Sequence, residues 1–101
     1  MIGTRGYLCP EILQAKAYGL KCDIWSLGCL LYALLSARLP FWADERREMN
    51  KKVINEAFDT EENASIAALS PAAKDLLCGM LAKNPNERLD IDQVLAHEWL
   101  N

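Results

Sequence analysis

The chain is poor in the residues from which small functional sites are usually assembled. Among 101 residues there is one histidine, His97, and four cysteines, Cys9, Cys22, Cys29 and Cys78. The cysteines are separated by 12, 6 and 48 residues, a spacing that fits neither paired zinc knuckles nor a C-x-x-C redox site. With no second ligand near His97, the expectation is buried or half-buried thiols and no metal site. Basic residues number 11 against 14 acidic, a net charge of -3 that argues against nucleic acid as a partner. None of the five glycines belongs to a glycine-rich phosphate loop. The longest uncharged stretch, Ile24 to Ala37, is too short to cross a bilayer, so no membrane partner is expected. No basic segment leads from Met1 into an apolar stretch, so the expected location is cytoplasmic, with the nucleus open.

What the chain does have is helical patterning. From Asp23 to Ala37, Ile24, Trp25, Leu27, Cys29, Leu30, Leu31, Tyr32, Leu34 and Leu35 occupy every side of a helical wheel. A helix apolar all round is expected to be buried all round, with Asp23 placed to cap its start. Asp44 to Phe58 brings Met49, Val53, Ala57 and Phe58 toward one face and pairs Glu48 with Lys52 four residues on, which reads as an amphipathic surface helix. Asp59 to Ala68 reads as a loop. Ser70 and Pro71 open a helix carrying Ala73, Leu76, Leu77, Met80 and Leu81, stopped by Asn84-Pro85. Asp90 and Gln93 have the layout of a capping box ahead of Ile91, Val94, Leu95 and Trp99, and Pro10 opens a short helix ending before Gly19. No segment alternates with period two, so the fold class is all-α, with four or five helices around one central buried helix.

Four ordered blocks carry more than periodicity does. They are Gly3-Thr4-Arg5-Gly6-Tyr7-Leu8-Cys9-Pro10-Glu11, then Asp23-Ile24-Trp25-Ser26-Leu27-Gly28, then Leu39-Pro40-Phe41-Trp42, then Asn84-Pro85-Asn86-Glu87-Arg88-Leu89. Together they resemble the C-terminal lobe of eukaryotic protein kinases, with Cys9-Pro10-Glu11 standing where that family has Ala-Pro-Glu. Gly6-Tyr7-Leu8, Pro40-Phe41-Trp42 and the ending Leu95-Ala96-His97-Glu98-Trp99 look most like the calcium/calmodulin-dependent serine/threonine kinases. The resemblance covers residues 1–101 and implies a partial kinase domain, from the end of the activation segment through the last helix.

That resemblance assigns roles residue by residue. Thr4 would lie beside the substrate residue after the phosphoacceptor, its hydroxyl bonding a catalytic aspartate and a lysine of the complete enzyme. Met1 and Leu8 would wall the apolar pocket for the same substrate residue. Glu11 and Arg88 match an ion pair tying the end of the activation segment to the loop before the last helix, although alone each reads as a solvated charge. Asp23 matches an aspartate that holds the catalytic-loop backbone, and Leu30 and Leu34 match scaffold positions beneath the nucleotide. Trp25, Trp42 and Trp99 read as packing residues. Arg5 and Ala37 stand where the family usually has proline and glycine. Gly6 and Ala33 stand where some members carry acids for substrate arginines, which argues against a strict need for a basic substrate.

Kinase chemistry needs a glycine-rich loop, a strand lysine paired to a helix glutamate, a catalytic-loop aspartate and asparagine, and a metal-binding aspartate. No His-Arg-Asp, Asp-Phe-Gly or Gly-x-Gly-x-x-Gly occurs in these residues. The resemblance therefore implies ATP and magnesium for the complete kinase and none held by residues of this chain. It implies a protein substrate and a missing N-terminal kinase portion as partners, and no catalytic residue here. The expectation is a serine/threonine kinase fragment, inactive alone. The alternative is a stand-alone docking or pseudokinase-like binding module.

Overall fold

A computed structural model describes residues 8–14 and 19–101. Its helices are α1 (Pro10–Leu13), α2 (Leu20–Ser36), α3 (Arg46–Asn55), α4 (Ala64–Ala67), α5 (Pro71–Met80) and α6 (Ile91–Leu95), followed by a closing 3-10 turn at Glu98–Leu100. No strand occurs among the described residues, and the class is all-α.

The long helix α2 starts three residues ahead of the expected cap. Gly19 is its N-cap residue, and Asp23 lies in the first turn instead, where the exposed N–H groups of the helix start favour a carboxylate. At the other end Ala37 takes the left-handed conformation, φ 60° and ψ 21°, and its N–H closes on the Ala33 carbonyl at 2.7 Å. The expectation of burial all round fails on one side. Ile24, Trp25, Gly28, Cys29 and Tyr32 are buried, but Leu27 and Leu30 are each 42% exposed and Leu34 75%. With Leu20 these form a stripe along one side of α2 that the described elements leave partly open to solvent.

The buried side of α2 rests on α5. The helices come so close that a Cβ on Gly28 would stand 2.9 Å from the Cβ of Met80. Ser70 caps α5 by accepting from the Ala73 N–H at 3.2 Å, and Pro71 fills the first turn. The capping box of α6 is complete: the Gln93 N–H donates to Asp90 Oδ1 at 2.8 Å, and the Asp90 N–H to Gln93 Oε1 at 2.9 Å. α5 ends at Met80, before Asn84-Pro85, and the chain then turns on the Asn84 carbonyl, which accepts from the N–H groups of Glu87 and Arg88.

Two local expectations are corrected. Glu48 pairs with Lys51, at 3.5 Å and exposed, while Lys52 donates to the Trp42 carbonyl at 2.9 Å, so the i,i+4 pair does not form. Within α3, Met49 and Val53 are the buried pair, and Phe58 lies beyond its end. The stretch Asp59 to Ala68 is not all loop, because α4 occupies four of its residues. The Asp59 carboxylate accepts from the N–H groups of Glu61, Glu62 and Asn63, and Asn63 then caps α4 by accepting from the Ser65 N–H. Those donated N–H groups, Glu62 and Glu61 foremost, hold the Asp59 carboxyl below its ordinary range. Ile66 anchors this turn against Tyr32 and Leu77.

Candidate functional site

Among the described residues, Arg88 has the most side-chain hydrogen bonds. It follows α5 on the turn at Asn84, is 1% exposed, and reaches inward between α1 and the start of α2. Its guanidinium has five N–H donors and every one has an acceptor. Nη2 meets Glu11 Oε1 at 2.7 Å and Nη1 meets Glu11 Oε2 at 2.9 Å, a two-point ion pair. Nη1 also donates to the Lys21 carbonyl at 2.8 Å, Nη2 to the Lys83 carbonyl at 3.2 Å, and Nε to the Ala82 carbonyl at 2.8 Å. Lys21 answers in kind, its Nζ donating to the carbonyls of Pro85 and Arg88. The guanidinium carbon lies 5.2 Å from the centre of the Trp25 ring, which adds a cation–π contact.

Beside the guanidinium, Cys9 and Cys22 are joined in a disulfide, their Cα atoms 5.5 Å apart and both residues fully buried. This corrects the reading of all four cysteines as thiols. Spacing alone offered no pairing, and it is the fold that sets the residue before Pro10 against the first turn of α2. Among the described residues, Cys9, Glu11 and Cys22 form a group whose sulfurs and carboxylate lie within 4.8 Å of one another. The two sulfurs are bonded to each other and both Glu11 oxygens face Arg88, so every donor of the trio is already engaged.

The ring under this cluster is Trp25, stacked on Phe41 with 5.8 Å between centroids. The indole N–H of Trp25 has no hydrogen-bond partner among the described residues. Lys83 covers the same stack, its Nζ 4.3 Å from the Phe41 centroid and 5.5 Å from that of Trp25, and donates to the carbonyls of Lys52 and Val53. Burial pushes the Lys83 ammonium down to about 8, against the pull of Glu56 and Cys29. Burial also pushes the Cys29 thiol up to about 12, against the opposing charges of Arg88 and Lys83. The lone histidine is a capping residue: His97 Nδ1 accepts from the Trp99 N–H at 3.1 Å, and Nε2 lies 2.8 Å from Asp75 Oδ2.

Of the residues singled out in the sequence, Met1, Thr4, Arg5 and Gly6 lie outside the described residues. Leu8 is half-buried just before Cys9. Glu11 and Arg88 come together, whereas Asp23, Leu30 and Leu34 lie on the opposite side of α2 and are exposed. Asp23 there lines an apolar groove of about 480 Å³ with Leu20, Ile24, Leu27 and Ile91. Trp25 is buried, while Trp42 and Trp99 are 50% and 37% exposed. Sequence reasoning missed Lys21 and Lys83, because a lysine that turns inward to carbonyls looks the same in sequence as one that stays in water.

The arrangement of a Cys-Pro-Glu turn clamped by an arginine that follows α5 can be set beside known proteins. The description "Protein kinase domain" matches residues 1–100. The chain belongs to the protein kinase domain family. It is 40% identical over 100 residues to calcium-dependent protein kinase 12 of Arabidopsis thaliana, covering 99% of this chain and 20% of that protein. It is 37% identical over 98 residues to the calcium/calmodulin-dependent protein kinase type II alpha chain of Drosophila melanogaster, covering 97% of this chain and 18% of that protein. It is 38% identical over 100 residues to serine/threonine-protein kinase PLK4 of Drosophila virilis, covering 99% of this chain and 12% of that protein. The chain thus spans about a fifth or less of the length of these relatives. The Cys9–Glu11–Cys22 group does not fit magnesium, whose ligands are oxygens: two of its three donors are the sulfurs of one crosslink, and its carboxylate is held by Arg88.

Proposed function

We propose that this chain is the helical, substrate-side part of a serine/threonine protein kinase domain, whose complete form transfers the γ-phosphate of ATP to serine or threonine of a protein. The buried two-point pair of Glu11 and Arg88 carries this reading, because it ties the Cys-Pro-Glu end of the activation segment to the rest of the helical unit. Met1, Thr4 and Leu8 would then contact the substrate, and Asp23, Leu30 and Leu34 would support the catalytic and nucleotide elements from below. The exposure of Leu27, Leu30 and Leu34 supports a partial domain over a stand-alone docking module, since a self-sufficient module would cover that stripe. Cytoplasmic location remains the expectation from sequence.

The residues that position ATP and magnesium are not among those of this chain, so the chain alone is expected to give no phosphopeptide with magnesium-ATP above a buffer control. A chimera in which residues 1–101 replace the matching stretch of the Arabidopsis relative is expected to phosphorylate serine or threonine peptides. With Gly6 and Ala33 at the positions discussed above, it should accept peptides lacking an arginine two residues before the phosphoacceptor. Turnover by the isolated chain would refute the inactive-fragment reading, and a folded chimera without transfer would refute the kinase assignment of these residues.

A further inference from the structure

The Cys9–Cys22 crosslink and the Arg88 clamp hold the same two segments. Cys9 precedes Glu11 by two residues, Cys22 directly follows Lys21, and the Glu11 carboxylate and the Lys21 carbonyl are both acceptors of the Arg88 guanidinium. A covalent tie and a charged tie therefore run in parallel across one buried junction. The other cysteines are excluded from it: Cys29 is a buried free thiol, and Cys78 is exposed on α5. The Arg88 contacts to Glu11 and to the Lys21 carbonyl do not involve the sulfurs, so breaking the S–S bond removes none of them and leaves a tie across the same junction.

We infer that Cys9 and Cys22 are a reversible thiol–disulfide modification site, a covalent latch on the junction that Arg88 clamps, with a small disulfide of the glutathione type as its reaction partner. The inference is independent of the phosphotransfer reading. In closing, one protein thiol loses its proton to solvent and its sulfur attacks the small disulfide, whose S–S bond breaks. One small thiol leaves with a proton, and a mixed disulfide remains on the protein. The second protein thiolate attacks the protein-side sulfur, the Cys9–Cys22 bond forms, and the second small thiol departs. Two electrons pass from the protein sulfurs to the reagent, and two protons follow. Since both sulfurs are sealed from solvent, exchange requires the lead into α1 to part from α2, so reduction is slower in the folded chain than in denaturant.

The whole chain, equilibrated with reduced and oxidised glutathione, is quenched with iodoacetamide in strong guanidinium chloride, digested and mapped by mass spectrometry. Cys9 and Cys22 are expected in one linked peptide in at least about tenfold excess over any other pairing, with Cys29 and Cys78 alkylated. The preference should vanish when the equilibration itself is done in denaturant. Four alkylated cysteines in oxidising buffer, or the same scatter of pairings with and without denaturant, would overturn the site. A second readout addresses the latch: the 13-residue separation predicts that dithiothreitol lowers the Tm of the native sequence by about 10 °C or more and leaves that of Cys22→Ser unmoved. An equal Tm for the oxidised and reduced native chain would overturn the latch.

Discussion

Glu11 and Arg88 lie 77 residues apart in sequence and meet through two N–O contacts of 2.7 and 2.9 Å, with neither side chain open to water. A buried charge without its partner is strongly destabilising, so Arg88→Met and Glu11→Gln are each expected to cost about 3 to 5 kcal/mol in chemical denaturation. Arg88→Lys should not rescue, because an ammonium offers three donors where five carbonyl and carboxylate contacts must be filled. The double variant Glu11→Gln/Arg88→Met should cost clearly less than the two single losses added together. Additive losses would show that the two side chains do not act as a pair.

The sequence was most legible where one residue type performs a local task. Ser70 and Pro71 opening α5, and Asp90 with Gln93 framing α6, are short-range hydrogen-bond devices whose geometry is fixed by a three-residue spacing. α4 escaped because a single turn of small residues has no period; its start depends on Asp59 gathering three N–H groups. A helical wheel reports apolarity and not which neighbours arrive, so it overstates the burial of α2, whose Leu27, Leu30 and Leu34 stay partly or largely exposed. The Glu11–Arg88 match came only from family resemblance, since no local pattern distinguishes a buried ion pair from two solvated charges. Lys83 and the Cys9–Cys22 bond left no sequence signal, as both are products of tertiary proximity.

Ala37 ends α2 in the left-handed region at φ 60°, where an L side chain crowds its own carbonyl and glycine does not. Replacing it by glycine removes that strain but loosens the unfolded chain, and the first effect is larger. Ala37→Gly is expected to raise stability by about 0.5 to 1 kcal/mol, seen as a higher denaturation midpoint at unchanged m-value. A lower midpoint would mean that Ala37 is held there by packing and is not strained.

Gly28 and Gly79 are both helical glycines, and neither leaves room for a methyl. A methyl at Gly28 would meet Met80 Cβ at 2.9 Å, an atom fixed to the α5 backbone, so the helices themselves must separate. A methyl at Gly79 would meet Leu89 Cδ1 and Cγ at 2.6 and 2.7 Å, and Leu89 is packed on Ile24, Leu76, Met80 and Val94 with its N–H bound to the Gly79 carbonyl. Gly28→Ala and Gly79→Ala are each expected to lose about 1 to 3 kcal/mol despite the better helix propensity of alanine. A gain in stability at either position, measured by thermal or urea denaturation, would contradict this reading of the two close approaches.

Lys83 gives the fold a pH dependence of definite sign. Its ammonium titrates near 8 when folded and at the ordinary 10.5 when unfolded, so between these values the unfolded chain binds a proton that the folded chain does not. Stability therefore rises as pH climbs from 8 toward 9. Above about 9 the Cys29 thiol acts in the opposite direction, because it ionises at the ordinary 9.0 when unfolded and only near 12 when folded; Cys78, also pushed up by burial, adds to that fall. Urea midpoints of the parent should increase from pH 8 to 9, level off, and decline above about 10.5, where the Lys83 contribution is complete and that of Cys29 continues. Lys83→Met should lose the increase and retain the decline at higher pH, whereas Cys29→Ser should extend the increase beyond 9. A parent whose midpoint falls steadily from pH 8 would mean that the two carbonyls and two ring faces around Lys83 hold its ammonium charged at that pH, against the effect of burial.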